Sequence, residues 1–122
     1  MNAEETALEF AAASFKSVWA LELLLALKRG HDRVWRADDM IVELRGSRGV
    51  VAEALNNLVA AGLAVEEEKG AYRYRAGSPA IDDLVDELDK LYAVKPSVVV
   101  RSIVTSTNVK LQILSNAFRI KE

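Results

Sequence analysis

The sequence predicts a mainly α-helical protein with a small β-hairpin, and three observations support this fold class. Apolar residues recur at intervals of three and four over most of the chain, which is the period of an amphipathic helix. Residues 64–75 instead indicate two short strands joined across Lys69 and Gly70, because aromatic and charged side chains alternate over residues 72–75. The chain has 122 residues, 51% of them hydrophobic and 28% charged, so we expect a single domain over residues 1–122.

The first predicted element is a helical region over residues 3–29, in which Ala, Leu, Glu and Lys dominate and neither glycine nor proline occurs. A break near Ser14 or Ser17 is compatible with this composition. We expect Trp19 and, beyond the helix, Trp35 in the core, because large aromatic side chains supply the most burial per residue. The second half is apolar on more than one face, which indicates packing on two sides and points to a partner chain. The residues responsible are Val18, Trp19, Leu21, Leu23, Leu24, Leu25 and Leu27.

A short connection follows this helix. Gly30, His31 and Asp32 end it, and His31 is expected to interact with the terminal carbonyl groups rather than to catalyse a reaction. Val34 and Trp35 favour a very short strand.

Two further helices are predicted, joined by a tight turn. The first opens at the acidic pair 38–39 and closes at Arg45 and Gly46. Ser47 is a good N-cap for the second, which ends at Gly62. The apolar residues that should face the core are Met40, Ile41 and Leu44 in the first helix and Val51, Ala54, Leu55 and Leu58 in the second.

The hairpin is predicted over residues 64–75, with a two-residue turn at Lys69 and Gly70. Its returning strand carries tyrosines on one face and arginines on the other. With this turn Glu66 falls opposite Arg73, so the carboxylate should partly neutralise the arginine.

Two C-terminal helices are predicted over residues 79–122. The first starts at Pro79 and ends by Lys95, and its acidic face is interpreted as the solvated side of an amphipathic helix. Pro96 opens a last helix with two neighbouring apolar stripes. One stripe comprises Val100, Val104, Thr107, Leu111, Leu114 and Phe118, and the other Val99, Ser106, Val109, Ile113 and Ile120. Together with the apolar N-terminal helix, these stripes predict a homodimer joined through the C-terminal helices and the N-terminal helix.

The order of elements over residues 17–75 is helix, brief strand, helix, tight turn, helix and hairpin. The run SRGVVAEALNNLVAAGLAVEEEKGAYRYR carries Leu55 and Leu58 as apolar anchors of a helix, and Gly62 and Leu63 ahead of the hairpin. In these features the chain resembles the winged helix-turn-helix superfamily, particularly small MarR-like transcriptional regulators. The resemblance covers about half of the chain. It implies a winged helix-turn-helix core over 14–78, with an N-terminal helical extension and two C-terminal helices.

This resemblance implies double-stranded DNA as the partner and the helix after Ser47 as the recognition helix. Arg48 would engage guanine or phosphate, Asn56 and Asn57 would read adenine edges, and Gly49 would permit a close backbone approach. The flanking DNA backbone would be held by arginines near the turn. The full set of expected DNA-binding residues is Arg36, Arg45, Ser47, Arg48, Gly49, Ala52, Asn56, Asn57, Lys69 and Arg73.

The charge of this region favours a second hypothesis. Residues 30–78 contain seven Lys and Arg (33, 36, 45, 48, 69, 73, 75) and eight Asp and Glu (32, 38, 39, 43, 53, 66, 67, 68). Phosphate neutralisation supplies most non-specific affinity for DNA, so a near-neutral module predicts weak or locally focused binding. The alternative is a winged-helix module that binds a partner protein and no nucleic acid.

Other classes of function are disfavoured by the residues that the sequence lacks. It contains no cysteine and one histidine, His31, which excludes disulfides, thiolate metal sites and multi-histidine sites. Neither a phosphate-binding glycine-rich loop nor a nucleophile elbow occurs, so we predict neither an enzyme nor a requirement for a metal or organic cofactor. The acidic N-terminus is unlike a signal peptide, and the longest apolar run, residues 18–27, contains Glu22. We therefore expect a cytoplasmic protein without a membrane span.

Overall fold

A computed structural model of the protein describes residues 2–107. Over these residues the chain is mainly helical with a small antiparallel sheet, as the sequence predicts. The elements in order are α1 (Ala3–Ser14), α2 (Val18–Arg29), β1 (Trp35–Arg36), α3 (Ala37–Leu44), α4 (Arg48–Ala60), β2 (Ala64–Glu68), β3 (Ala71–Tyr74) and α5 (Pro79–Val94). A further helix, α6, is described over residues 96–107.

The predicted break in the N-terminal helical region separates α1 from α2. Ser17 begins the second helix, because its hydroxyl accepts a hydrogen bond from the Ala20 amide at 3.2 Å. The two helices meet at an angle of 110°. The leucines of α2 are fully buried between α4, α3 and the sheet. The leucines of α2 are thus buried within the chain, whereas Val18 and Trp19 at its start remain partly exposed.

The tight turn between α3 and α4 is formed by Arg45 and Gly46. Arg45 adopts a left-handed conformation with φ 55°, which ends α3. Ser47 then caps α4, because its side-chain oxygen accepts a hydrogen bond from the Val50 amide at 3.2 Å. The apolar side of α4 packs against α2 and α3, so the opposite side is left facing solvent. Its buried apolar residues are Val51, Ala54, Leu55 and Leu58.

The sheet has the strand order β1-β3-β2, so the short strand before α3 joins the predicted hairpin. The turn at Lys69 and Gly70 is as predicted, but the predicted pairing of Glu66 with Arg73 is wrong. A bulge between Glu66 and Glu68 shifts the register by one residue, which places Val65 opposite Arg73. Arg73 instead forms an ion pair with Glu67, whose Oε1 lies 2.9 Å from its Nε.

Helix α6 lies along α1 and is held to it by serine hydroxyls. Ser102 Oγ donates to the Leu8 carbonyl at 3.1 Å, and Ser106 Oγ donates to the Ala12 carbonyl at 3.0 Å. The buried apolar residues of this helix are Val99 and Ile103, whereas Val104 is exposed. The predicted continuation of both apolar stripes beyond residue 107 lies outside the described residues.

Trp19 does not lie in the core, contrary to the prediction. Its side chain is 39% exposed, because it lies at the edge of α2 beside the turn between α3 and α4. Trp35 is half-buried and packs against the core, and its Nε1 donates to the Gly30 carbonyl at 3.2 Å. Only one of the two tryptophans therefore contributes to the core as expected.

A polar cluster joins α2, β3 and α5. Lys28 Nζ lies 2.8 Å from Asp82 Oδ1 and 3.0 Å from Asp86 Oδ1, and the Tyr74 hydroxyl donates to Asp82 at 2.5 Å. Burial lowers the pKa of Lys28, but the hydrogen bonds to Asp82 and Asp86 outweigh it and raise the pKa above its usual value. Hydrogen bonds from Lys28 and Tyr74 lower the pKa of Asp82. Burial, and then the bond to Asp82, raise the pKa of Tyr74 to about 12.

The substitution Asp82→Asn should lower the free energy of unfolding by about 1 kcal/mol at neutral pH, because the carboxylate is partly exposed and solvent screens the ion pair. The folded-state pKa of Asp82 is lowered, so its contribution is complete above the unfolded-state pKa and disappears as pH falls through the folded-state pKa. Urea unfolding should therefore show a difference at neutral pH that shrinks as pH falls through the folded-state pKa of Asp82, which lies below the usual value for an aspartate. Asp83→Asn, at an exposed neighbouring carboxylate, is the control and should change little; equal effects of the two substitutions would contradict this prediction.

Among residues 2–107, no single helix is both long and apolar enough to cross a membrane; α1 and α2 meet those criteria only when counted together across their bend.

Candidate nucleic-acid interface

The solvent-facing side of α4 carries four of the ten residues predicted to contact DNA, namely Arg48, Gly49, Ala52 and Asn56. One side of α4 is buried because it packs against α2 and α3. The helical period then determines which residues lie on the opposite, exposed side. Gly49, Ala52, Glu53 and Asn56 are all exposed on this side. An added Cβ at Gly49 would meet no atom within 4 Å, so the backbone here is open to close approach.

Arg48 lies at the first position of α4 and is already paired. Its Nη2 lies 3.1 Å from Asp38 Oδ1, at the start of α3, with the two side chains 78% and 75% exposed. An exposed pair of this kind stabilises a protein by only about 0–1 kcal/mol. Arg48 can therefore exchange Asp38 for another anion at little energetic cost.

Arg36 and Arg45 are the other two predicted arginines around this turn, and both are exposed. Neither has a carboxylate oxygen within 4.0 Å among residues 2–107, so their charges are not offset by direct ion pairs there. The Arg36 amide donates to Asp39 Oδ2 at 3.2 Å, which begins α3 and fixes the backbone from which this arginine projects. Ser47, also predicted for DNA contact, is engaged as the N-cap of α4.

Asn57 does not belong to the exposed face, and its predicted role as a base-reading residue is wrong. Its side chain is 6% exposed. Oδ1 accepts from the Lys16 amide and Nδ2 donates to the Ser14 carbonyl, both at 2.8 Å. It therefore satisfies two backbone groups at the break between α1 and α2, where no helical partner is available to them. Asn56, the adjacent residue, remains exposed and free to contact a ligand.

The hairpin contributes little positive charge to this surface. Lys69 is exposed at the turn, but Arg73 is half-buried and paired with Glu67. Three consecutive glutamates, residues 66–68, lie on the adjoining strand. Glu66 Oε2 accepts from the Gly70 amide at 2.9 Å and so supports the turn. The local positive charge of the candidate interface therefore comes from Arg36, Arg45 and Arg48 rather than from the hairpin.

His31 behaves as predicted, since its Nδ1 lies 3.1 Å from the Lys28 carbonyl oxygen at the end of α2. Within the part of the chain that the structure describes, no group of three or more His, Asp and Glu side chains is arranged to hold a metal ion.

An open groove beside the turn is a feature that sequence reasoning missed. It has a volume of about 330 Å³ and is lined by Val18, Trp19, Glu22 and Leu44. Glu22 accepts a short hydrogen bond from the Tyr92 hydroxyl, and burial followed by this bond raises the pKa of Tyr92 to about 12. The only signal for the groove in the sequence is the apolar content of α2 on more than one face, which predicts packing on two sides and points to a partner chain.

Comparison of the chain with protein-family models, curated proteins and solved structures found no significant match.

Proposed function

We propose that the protein is a dimeric DNA-binding transcriptional regulator in which residues 14–78 act as a winged helix-turn-helix. The observation that carries this proposal is the position of α4, which is held on one side by α2 and α3 and presents a solvent-facing side that begins at an arginine-flanked turn. The order of elements from α2 to β3, and the sheet order β1-β3-β2, support it. In this arrangement α4 is the recognition helix and β2 and β3 form the wing.

The chemistry of binding follows from the exposed side chains. Arg36 and Arg45 contact phosphates beside the groove, and the first turn of α4 adds the favourable field of a helix N-terminus. Arg48 and Asn56 lie on the face that enters the major groove, where they contact guanine and adenine edges respectively. Gly49 and Ala52 present little side chain, so the helix backbone can approach the bases closely.

The alternative function is a winged-helix module that binds a partner protein. The ion pairs of Arg48 with Asp38 and of Arg73 with Glu67 favour it, because they reduce the positive charge available to phosphates. The open apolar groove beside Trp19 also favours it, since apolar surface of this kind contributes to protein interfaces. The two functions differ in the effect of arginine substitutions on binding to duplex DNA.

We expect the double substitution Arg45→Ala, Arg48→Ala to weaken DNA binding about tenfold at moderate salt, because two phosphate or base contacts are lost per protomer. Because Arg36 and Arg45 of both protomers contact phosphates, the log-log salt slope of the wild type should be roughly −4, and it should fall to roughly −2 in the double variant, which keeps only Arg36. Fluorescence anisotropy with duplexes selected from a random pool measures both quantities. Arg101→Ala, at an exposed arginine on α6, is the control and should bind as the wild type does.

A substitution that should strengthen DNA binding, rather than weaken it, tests the role of the ion pair between Arg48 and Asp38. Asp38→Asn removes the partner of Arg48, so it should strengthen DNA binding several-fold if Arg48 contacts DNA. Glu43→Gln removes one negative charge elsewhere on α3 and controls for the change in net charge. If the wild type and the double arginine variant bind equally, or if neither binds at low salt, the DNA-binding proposal fails and the partner-protein function replaces it.

A further inference from the structure

Lys16 is a basic residue beside α4 that does not belong to the predicted DNA-binding set. It lies between α1 and α2, outside both helices, and it is exposed. A depression of about 440 Å³ lies between this break and α4. Its lining residues are Lys16, Ser17, Glu53, Asn56, Asn57 and Ala60. Lys16 is the only basic residue among them, so it supplies the positive charge on this side of α4.

The backbone of Lys16 is held from two directions by side chains of other helices. Its amide donates to Oδ1 of the buried Asn57 on α4 at 2.8 Å. Thr107 Oγ1 on α6, which also contacts the Ile103 carbonyl of that helix, lies 3.2 Å from the Lys16 carbonyl oxygen. The point from which the lysine side chain projects is therefore fixed relative to α4. A backbone ordered in advance lowers the entropic cost of a contact made by the side chain.

The charge of Lys16 is not offset by an ion pair. Among residues 2–107, no carboxylate oxygen lies within 4.0 Å of its ammonium group, although Lys28, Lys90 and Lys95 each have such a partner. Glu53, which borders the same depression, is exposed and also forms no ion pair within these residues. The ammonium group is thus available to an external anion, and without it such an anion would face Glu53 alone.

The exposed side of α4 has two edges, and basic residues lie at both. Arg48 belongs to the edge next to α3, because it pairs with Asp38 at the start of that helix. Glu53 and Asn56, three residues apart on one helix face, border the depression at the other edge. The three arginines therefore lie towards α3 and the turn, whereas Lys16 lies across the exposed side of α4 from them.

A helix in the major groove lies between the phosphate backbones of two strands, across a groove about 12 Å wide. We propose that Lys16 binds a phosphate of the strand opposite the one that Arg36 and Arg45 contact. This inference rests on the proposed DNA-binding function and adds a phosphate contact at the second edge of α4. The ammonium group offsets the repulsion between that strand and Glu53. Because phosphate contacts carry no sequence information, Lys16 contributes to affinity and to the alignment of α4 rather than to base recognition.

Lys16→Gln should weaken the binding of a selected duplex and of a scrambled duplex by the same factor, about threefold at moderate salt, because one phosphate contact is lost per protomer. The added contact makes the log-log salt slope of the wild type roughly −5 rather than roughly −4, and Lys16→Gln returns it to roughly −4. Lys16→Arg keeps the charge and should bind as the wild type does. Lys90→Gln, which removes the same charge from an exposed lysine on α5, is the control. Fluorescence anisotropy over a range of salt concentrations measures all four proteins.

Duplexes that carry a single uncharged methylphosphonate linkage locate the contact. At the phosphate bound by Lys16, this linkage should weaken the wild type about threefold and leave Lys16→Gln unaffected, because the contact is already absent from the variant. The linkage to which Arg45→Ala is insensitive should lie on the other strand. Lys16→Gln keeps both backbone contacts of residue 16, so urea unfolding should show the stability of the wild type.

The inference is overturned if Lys16→Gln binds as the wild type does, if Lys90→Gln weakens binding equally, or if the phosphates assigned to Lys16 and Arg45 lie on one strand. In each case the proposed function stands as long as the double substitution Arg45→Ala, Arg48→Ala still weakens binding. A wild type that binds no duplex at low salt instead removes the proposed function, and this inference with it.

Discussion

Asn57→Ala is expected to lower the free energy of unfolding by about 3 kcal/mol, because two backbone groups lose their hydrogen-bond partners. The Asn57 side chain accepts from the Lys16 amide and donates to the Ser14 carbonyl, and it is almost fully buried. Alanine leaves both groups without a partner at the break between α1 and α2, where water has restricted access to the site. Urea unfolding at neutral pH measures the loss.

The adjacent asparagine provides a matched control. Asn56 is exposed on α4, and Asn56→Ala should change the free energy of unfolding by less than about 0.5 kcal/mol. On the DNA-binding proposal, Asn56→Ala instead alters sequence preference without affecting stability. If Asn57→Ala is as stable as Asn56→Ala, the structural role assigned to Asn57 is wrong.

The fold class was predictable because its signals are local. Ser17, Ser47 and Ser78 each cap the helix that follows, and a serine at this position can be recognised from a few neighbouring residues. The turn at Lys69 and Gly70 is similarly local. The bulge between Glu66 and Glu68 was not predictable, because it depends on how β2 meets β3 across the sheet rather than on either segment alone.

The errors at the candidate site arise from contacts between residues that are distant in sequence. Asn56 and Asn57 are identical in type and adjacent, and only the packing of α4 against the end of α1, more than forty residues earlier, distinguishes them. Trp19 was assigned to the core on its size, yet the position of the α3–α4 turn leaves one side of its ring exposed. Composition indicates that a side chain tends to be buried, but only tertiary packing determines which surface is covered.

The ion pairs within residues 30–78 describe the charge of this region better than its total charge does. Seven basic and eight acidic residues over positions 30–78 suggest a uniformly neutral surface. In the structure, Arg73 is paired within the hairpin, whereas Arg36 and Arg45 have no carboxylate oxygen within 4.0 Å among residues 2–107. Because exposed charges beyond a Debye length of about 10 Å are largely screened, this local arrangement matters more for phosphate binding than the net charge. The proposed interface therefore consists of the turn and the solvent-facing side of α4 from Arg48 to Asn56.

Gly30→Ala is expected to destabilise the protein by about 2 kcal/mol, because the methyl group would overlap the indole ring of Trp35. An added Cβ at Gly30 would lie 2.6 Å from Cζ2 and 2.9 Å from Nε1 of this ring. The ring has little freedom to move. Its Nε1 donates to the Gly30 carbonyl, the Arg33 guanidinium stacks 3.4 Å from its centre, and its backbone pairs with Tyr72 in the sheet.

Gly49→Ala is the matched control, because an added methyl group there would meet no atom within 4 Å and the residue lies in a helix. Alanine at this position should stabilise the protein by about 0.5–1 kcal/mol through its higher helix propensity and the lower entropy of the unfolded chain. Urea unfolding of the two variants should thus give changes of opposite sign. If Gly30→Ala is neutral, the Trp35 ring moves aside without loss, and the contact that joins the end of α2 to β1 contributes little to stability.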